Sequence, residues 1–209
     1  MRDTMATNMW YAAGSLSYER VEHTATLLLS GQVLLVGGST SGDTAELYDT
    51  ATYTWSAASP LPTARKQHTA TQLLSGKLLV VGGYGPGGAT ASVDLYNPAT
   101  NTWSAAAPLT TARRFHTATR LRSGQVLVTG GYITNPDAAL NSAELYDPAT
   151  NTWSAAGTLI QTAYNHTATL LQSGQVLLAG GVTNATTYPT YAQLYDPSAN
   201  TWSPAASAY

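Results

Sequence analysis

The chain has 209 residues, with nine lysines and arginines, eleven aspartates and glutamates, four histidines and no cysteine. This nearly balanced charge, without a basic run, argues against a nucleic-acid partner, and the lack of cysteine excludes disulfides, thiolate metal sites and thiol nucleophiles. No apolar run approaches the roughly 20 residues that cross a bilayer, and residues 1–10 lack the apolar core of a signal peptide, so we expect a soluble chain without a membrane partner.

A long repeat begins at His23, where the chain reads HTATLLLSGQVLLVGG, and close copies of this segment begin at His68, His116 and His166. The steps between these histidines are 45, 48 and 50 residues, which is the period of propeller blades. The spacings from His to Gly-Gly, from Tyr to Trp and from Trp to the next His are the same in every copy. Only the interval between Gly-Gly and Tyr varies, so all length variation falls in one loop per repeat.

Turn residues divide each repeat into four predicted strands. Ser-Gly pairs such as Ser30-Gly31 separate strand A (HTATLL) from strand B (QVLLVGG) and are typical of tight hairpins. Segments such as DPATN separate strand C (AELYD) from strand D (TWSAA). The apolar runs of strand B indicate sheets that are buried on both faces, as stacked blades are. The sequence therefore predicts an all-β propeller of four four-stranded antiparallel blades.

The Gly-Gly pair after strand B, the Tyr and Trp at fixed spacing, and the Arg-x-x-His before the next repeat resemble kelch repeats over nearly the entire chain. The form of the repeat is similar to that of bacterial, often secreted, kelch proteins and of galactose-oxidase-like propellers. The resemblance implies a kelch-type β-propeller. The oxidases use copper with a Cys-crosslinked Tyr, which this cysteine-free chain cannot form, so we expect no cofactor and no enzymatic activity.

We expect a single domain over residues 1–209, with repeats at approximately 14–58, 59–106, 107–156 and 157–206. Residues 1–13 contain an extra strand D around Trp10, which lies 13 residues before His23. Either the four blades close within one chain and displace an end strand, or the chain is an arc that a second copy completes. Because an open arc exposes an apolar blade face, we favour an eight-bladed homodimer, with the chain as its own partner.

Residues that recur in every blade are interpreted as architectural. A metal-binding ring of the four histidines is conceivable, but strand A side chains point toward adjacent blades, so we expect imidazoles that are buried between blades and bonded to backbone. Arg20, Arg65 and Arg113 are predicted to pair with Glu46, Asp94 and Glu144, because the fourth repeat replaces both members, with Ala163 and Gln193. The repeated tyrosines and tryptophans are predicted to pack, and they are Tyr48, Tyr96, Tyr146, Tyr195, Trp55, Trp103, Trp153 and Trp202.

The variable residues are the better guide to function. Strand direction places the B–C and D–A connections on one edge of the disc, which we call the variable rim, and the A–B and C–D turns on the opposite rim. Loops on a rigid scaffold commonly carry binding. The candidate ligand-binding residues are Tyr84, Tyr132, Tyr164, Tyr188, Tyr191, Arg114 and Phe115. We expect a non-catalytic protein- or glycan-binding scaffold, and the alternatives are a self-assembling repeat fragment or engineered propeller without its own ligand, and part of a carbohydrate-active enzyme.

Overall fold

The computed structural model describes residues 12–39, 42–183 and 192–205. They form four four-stranded sheets, each of which is one blade, and two small hairpins. Blade 1 consists of β1 (Thr24–Leu27), β2 (Val33–Val36), β3 (Ala45–Asp49) and β4 (Thr54–Ala58). Blade 2 and its hairpin consist of β5 (Thr69–Gln72), β6 (Leu78–Val81), β7 (Tyr84–Gly85), β8 (Gly88–Ala89), β9 (Val93–Asn97) and β10 (Thr102–Ala105).

The second half of the chain repeats this arrangement. Blade 3 and its hairpin consist of β11 (Thr117–Arg120), β12 (Val126–Thr129), β13 (Tyr132–Thr134), β14 (Asp137–Ala139), β15 (Ser142–Asp147) and β16 (Thr152–Thr158). Blade 4 consists of β17 (Thr167–Leu170), β18 (Val176–Ala179), β19 (Ala192–Asp196) and β20 (Thr201–Pro204). Every blade is an antiparallel meander in the order A, B, C, D. The predicted all-β, kelch-type blades are confirmed.

The Ser-Gly turns fold as the sequence predicts. In the first of them the Leu28 amide donates to the Gln32 carbonyl at 2.8 Å, and Gly31 has a φ of 87°. A side chain at such a left-handed position is strained, so glycine is favoured. The hairpins β7–β8 and β13–β14 were not predicted, because they lie inside the variable B–C loops, where no repeat pattern exists.

Blades are held together by three apolar clusters, one at each junction. The first joins Leu34 and Val36 of blade 1 to Leu78 and Val80 of blade 2. The other two clusters join blade 2 to blade 3 and blade 3 to blade 4 in the same way. Strand B therefore sends alternate side chains into the clusters on its two sides, which explains its continuous apolar sequence.

The described residues contain no fourth cluster that would join blade 4 back to blade 1. Leu27, on the outward side of blade 1, is 63% exposed. At the other end Leu177 is only half-buried, whereas its equivalents Leu34, Leu79 and Leu127 are fully buried. Within its described residues the chain is therefore an open arc of four blades.

Two further observations concern the ends and the surface. The extra strand predicted around Trp10 falls almost wholly on residues 1–11, outside the described residues, and Ala12 and Ala13 are not in a strand. None of the described residues forms a helix that is long and apolar enough to span a membrane.

Candidate functional site

A backbone bridge fixes the start of each B–C loop on the variable rim. Lys66 pairs with Tyr84, Arg114 with Tyr132, and Tyr164 with Val182, each through two antiparallel N–H···O bonds. Each bridge joins the residue two positions before the repeated histidine to the residue after Gly-Gly. The repeated backbone therefore presents a pair of variable side chains at the same place in blades 2, 3 and 4.

Five of the seven candidate residues meet in one group, which we call the aromatic rim cluster: Tyr84, Arg114, Phe115, Tyr132 and Tyr164. The guanidinium carbon of Arg114 lies 4.7 Å from the centre of the Tyr84 ring, 5.1 Å from that of Phe115 and 5.5 Å from that of Tyr132. The rings of Tyr132 and Tyr164 are 4.8 Å apart. The cluster spans blades 2, 3 and 4. Tyr188 and Tyr191 lie outside the described residues.

Arg114 is held by ring faces and one amide. Its Nη1 donates to Gln67 Oε1 at 3.2 Å, and its buried Nε has no hydrogen-bond partner. Among the described residues it has no ion-pair partner. Cation–π contacts of this kind contribute about 0.5–2 kcal/mol each. The positive charge at the centre of the cluster is therefore not neutralised by a carboxylate bonded to it.

A polar chain extends from the cluster to blade 1. Gln67 Nε2 donates to Glu22 Oε2 at 2.8 Å, and Lys66 Nζ lies 3.0 Å from the same oxygen. Burial alone would raise the pKa of Glu22, but the bonds from Lys66 and Gln67 outweigh it and hold the pKa below its usual value. Glu22 is therefore ionised near neutral pH.

A cleft of about 620 Å³ lies beside the cluster, between blades 1 and 2. Its lining includes Ser39 and Gly42 of the first B–C loop and Lys66, Tyr84 and Gly85 at the start of blade 2 and its B–C loop. A volume of this size fits the range for small-ligand pockets, which is roughly 300–1,000 Å³. Tyr84 belongs to both the cleft and the cluster.

Three of the four repeated histidines are buried between blades, as predicted. The Nε2 atom of each contacts the hydroxyl of the threonine after the preceding blade's histidine, in the pairs His68–Thr24 (2.9 Å), His116–Thr69 (2.9 Å) and His166–Thr117 (3.0 Å). We expected a backbone partner, but the partner of each Nε2 atom is a side-chain hydroxyl. His23 is exposed.

The histidines line the central channel with the residues before them, around a space of about 370 Å³. Burial lowers the pKa of His68 to about 3 and that of His166 to about 4, and it holds the pKa of His116 well below its usual value. These imidazoles are therefore neutral near pH 7. The described residues contain no group of three or more His, Cys, Asp or Glu that could hold a metal ion.

The predicted arginine–acid pairs are confirmed. Their side chains meet at 2.8 Å in Arg20–Glu46, 2.5 Å in Arg65–Asp94 and 2.7 Å in Arg113–Glu144. The acid of blade 3 also accepts a hydrogen bond from the backbone, because the Thr110 amide donates to Glu144 Oε2. The fourth repeat keeps this second bond, because the Ile160 amide donates to Gln193 Oε1. Replacing both members therefore leaves neither a buried charge nor an unpaired backbone amide.

The predicted packing role of the tyrosines and tryptophans is also confirmed. Each tyrosine packs on the tryptophan seven residues later, with ring centres 4.9–5.2 Å apart. The tyrosine hydroxyls of blades 2, 3 and 4 donate to Asn101, Asn151 and Asn200, which have left-handed backbone. Sequence reasoning missed this role of asparagine, although Asn tolerates such backbone better than other non-glycine residues. Tyr53 occupies the equivalent position in blade 1.

Four antiparallel blades stacked around a channel define a β-propeller architecture. Residues 2–156 match the model of the KLHDC2/KLHL20/DRC7 Kelch-repeats domain. The chain belongs to the kelch-repeat family. Comparison with curated proteins gave no significant match.

A solved structure supports the fold independently. The structure titled "Structure of YjhT" superposes with a TM-score of 0.77 at 18% identity, and the match covers 93% of this chain and 68% of that chain. Identity this low shows a shared fold and carries no information about the ligand.

Proposed function

We propose that the chain is a non-catalytic binding module that recognises a protein or glycan ligand through the aromatic rim cluster. The observation that carries this proposal is that Tyr84 of blade 2 and Tyr132 of blade 3 both pack their rings against the guanidinium of Arg114. Tyr84 and Tyr132 hold one equivalent position, which is Ser39 in blade 1 and Val182 in blade 4, and the position of Arg114 differs in every blade, whereas the architectural residues repeat. A surface that only had to hold the blades together would not need a different set of side chains in each blade.

The chemistry of the cluster supports binding. Ring faces of tyrosine and phenylalanine contribute apolar contact, and phenol hydroxyls and the guanidinium contribute directed hydrogen bonds. Aromatic and arginine side chains are the commonest sources of binding energy at protein interfaces. Because Arg114 has no carboxylate bonded to it among the described residues, a ligand that carries carboxylate or several hydroxyl groups is favoured.

The same chemistry argues for binding without catalysis. The cluster consists of phenols, a phenyl ring and a guanidinium, and it contains no carboxylate, imidazole or thiol, which are the commoner general acids and bases. Burial, together with Asp137, raises the pKa of Tyr132. Side chains of these types orient a ligand through ring contacts and hydrogen bonds.

The test is an array of glycans and peptides, probed with the purified chain and then with the variants Tyr84→Ala and Arg114→Ala. We expect at least one ligand class to bind, and each variant to lose about tenfold or more in affinity, as hot-spot residues do. Absence of any ligand, or binding that both variants retain, would contradict the proposal.

The matched control is Tyr53→Asn. Tyr53 is 55% exposed in the C–D turn of the opposite rim, where the other blades carry asparagine. This variant removes an exposed tyrosine without straining the backbone, so we expect full binding. Equal losses in Tyr53→Asn and Tyr84→Ala would indicate non-specific adhesion to tyrosine.

A further inference from the structure

The three blade junctions share one set of apolar contacts. The later blade always contributes a pair of strand B side chains, such as Val176 and Leu178 of blade 4, and a buried tyrosine such as Tyr195. The earlier blade always contributes the alternate strand B residue, such as Leu127 of blade 3. A junction is therefore built from two unlike faces, and each blade carries one of each kind.

The junctions also share three polar contacts. The imidazole of the later blade meets a threonine hydroxyl of the earlier blade. The amide before the later histidine donates to the equivalent carbonyl of the earlier blade, as Asn165 does to Phe115 at 3.0 Å. The second glycine of the earlier blade donates to a carbonyl of the later blade, as Gly131 does to Ala163 at 2.7 Å.

The two ends of the arc carry one half of each contact. We call the outward side of blade 1 the first open face, with His23, Ala25, Leu27, the strand B pair Val33 and Leu35, and Tyr48, and that of blade 4 the last open face, with Thr167, Leu177, Ala179 and the pair Gly180-Gly181. Val33 is half-buried and Leu35 is 6% exposed, whereas the equivalent pair of each later blade is fully buried. His23 is exposed, whereas the three other histidines are 5–6% exposed. Tyr48 is half-buried, whereas its three equivalents are at most 1% exposed.

The last open face has the complementary halves. Thr167 is exposed, and its hydroxyl donates to Ala179 of its own blade at 3.3 Å, where the equivalent threonines meet a histidine. Among the described residues, a Cβ on Gly180 would meet nothing within 4 Å, but one on Gly130 would lie 2.2 Å from the carbonyl of Ala163 in the next blade. No described residue therefore fills the space beside Gly180 that the next blade fills beside Gly130.

We propose that the first open face of one copy docks on the last open face of a second copy, so that two copies close an eight-bladed ring through two identical junctions. The occupant is a second copy because each open face has the residue types of the matching face inside the chain. His23 then reaches Thr167 of the partner copy as His166 reaches Thr117. Unlike faces that meet head to tail form a ring when the rotation closes.

The first test uses solution mass and one pair of charge substitutions. By light scattering we expect twice the 21.9 kDa of one chain, and the mass of one chain for Leu27→Glu, which places a carboxylate on the first open face. The control is Leu29→Glu, at a leucine that is 76% exposed in the A–B turn, and it should keep the two-chain mass. A wild-type mass of one chain, or of more than two, overturns the proposal.

The second test is cysteine cross-linking, which a chain without cysteine allows cleanly. The double variant His23→Cys, Thr167→Cys should form a covalent dimer with a short bis-maleimide reagent, seen on a denaturing gel, because the reagent fills the gap that the imidazole leaves. The internal equivalent Thr24→Cys, His68→Cys should be cross-linked within one chain by the same reagent, because His68 Nε2 and the Thr24 hydroxyl are 2.9 Å apart. If the 23/167 pair is not cross-linked, or is cross-linked only within one chain, the proposal is wrong.

Discussion

Arg113 and Arg114 are neighbours in the sequence but belong to two regions of the molecule with different rules. Arg113 has no exposed surface, pairs with Glu144, and repeats in three blades. Arg114 is half-buried on the variable rim, packs against aromatic rings, and has no arginine at the equivalent position of any other blade. The blade junctions tolerate change only in matched sets, whereas the rim holds a different set in every blade. Function is therefore to be sought where the repeat fails.

The largest effect that separates the two regions is expected at the buried ion pair. Arg113→Met leaves Glu144 buried and unpaired, and we expect a loss of about 3–5 kcal/mol in the free energy of unfolding. Urea denaturation measures it. Adding Glu144→Gln, which imitates blade 4, should restore most of the loss, and Arg114→Met alone should cost less than Arg113→Met, about 0.5–2 kcal/mol. Equal losses at Arg113 and Arg114 would break the comparison.

Acid should destabilise the junctions next. His68 and His166 have folded pKa values of about 3 and about 4, below an unfolded value near 6.5, so the unfolded chain binds protons that the folded chain does not. The contribution of these neutral histidines to the free energy of unfolding is complete above pH 6.5 and is lost as the pH falls toward their folded pKa values. Each buried histidine should cost about 1.4 kcal/mol per pH unit in this window, or roughly 2 kcal/mol at pH 5.

Urea denaturation between pH 7 and pH 5 measures this slope. His166→Gln should reduce it by about the share of one histidine, whereas the same change at His23, whose pKa is also lowered by partial burial and by Arg20, should reduce the slope of a monomeric sample by less. A wild-type stability that is flat over this range would contradict the burial of neutral imidazoles.

A smaller difference should separate the closed junctions from the open one. Gly82 and Gly180 hold the same place in the repeat, with φ values of 58° and 68°. A Cβ on Gly82 would lie 2.6 Å from the carbonyl of Arg113, whereas one on Gly180 meets none of the described residues within 4 Å. Both alanine variants bear the left-handed backbone strain, and Gly82→Ala should lose about 1–3 kcal/mol more from overpacking. Thermal unfolding of monomeric samples compares them.

The blades and the arginine–acid pairs inside them were predictable because four copies of the repeat can be compared with one another. Fixed spacings located the strands, and the joint change at Ala163 and Gln193 pointed to the ion pairs. The threonine partner of each histidine also had a signal, because Thr follows His in every repeat. It was missed because the two residues contact each other across blades and not within one.

The rim and the ring closure were harder for physical reasons. The candidate residues lie where the repeat varies, but nothing in their spacing predicts that Tyr84 packs on Arg114, since that contact depends on how two blades stack. The hairpins β7–β8 and β13–β14 form in loops of unequal length and so lack a repeat to reveal them. Closure depends on contacts between the two ends, which the contacts inside a repeat do not determine.

The residues that precede the histidines have a consequence for engineering. Glu22, Gln67, Phe115 and Asn165 all adopt left-handed backbone, and a bond from a backbone amide to a backbone carbonyl links each of them to the next around the channel. The chain thus accepts an acid, an amide or an aromatic ring at one position without altering the scaffold. Substitution at these four positions would vary the side chains around the channel while the propeller stays the same. β-Branched residues would be the least suitable, because they disfavour left-handed backbone.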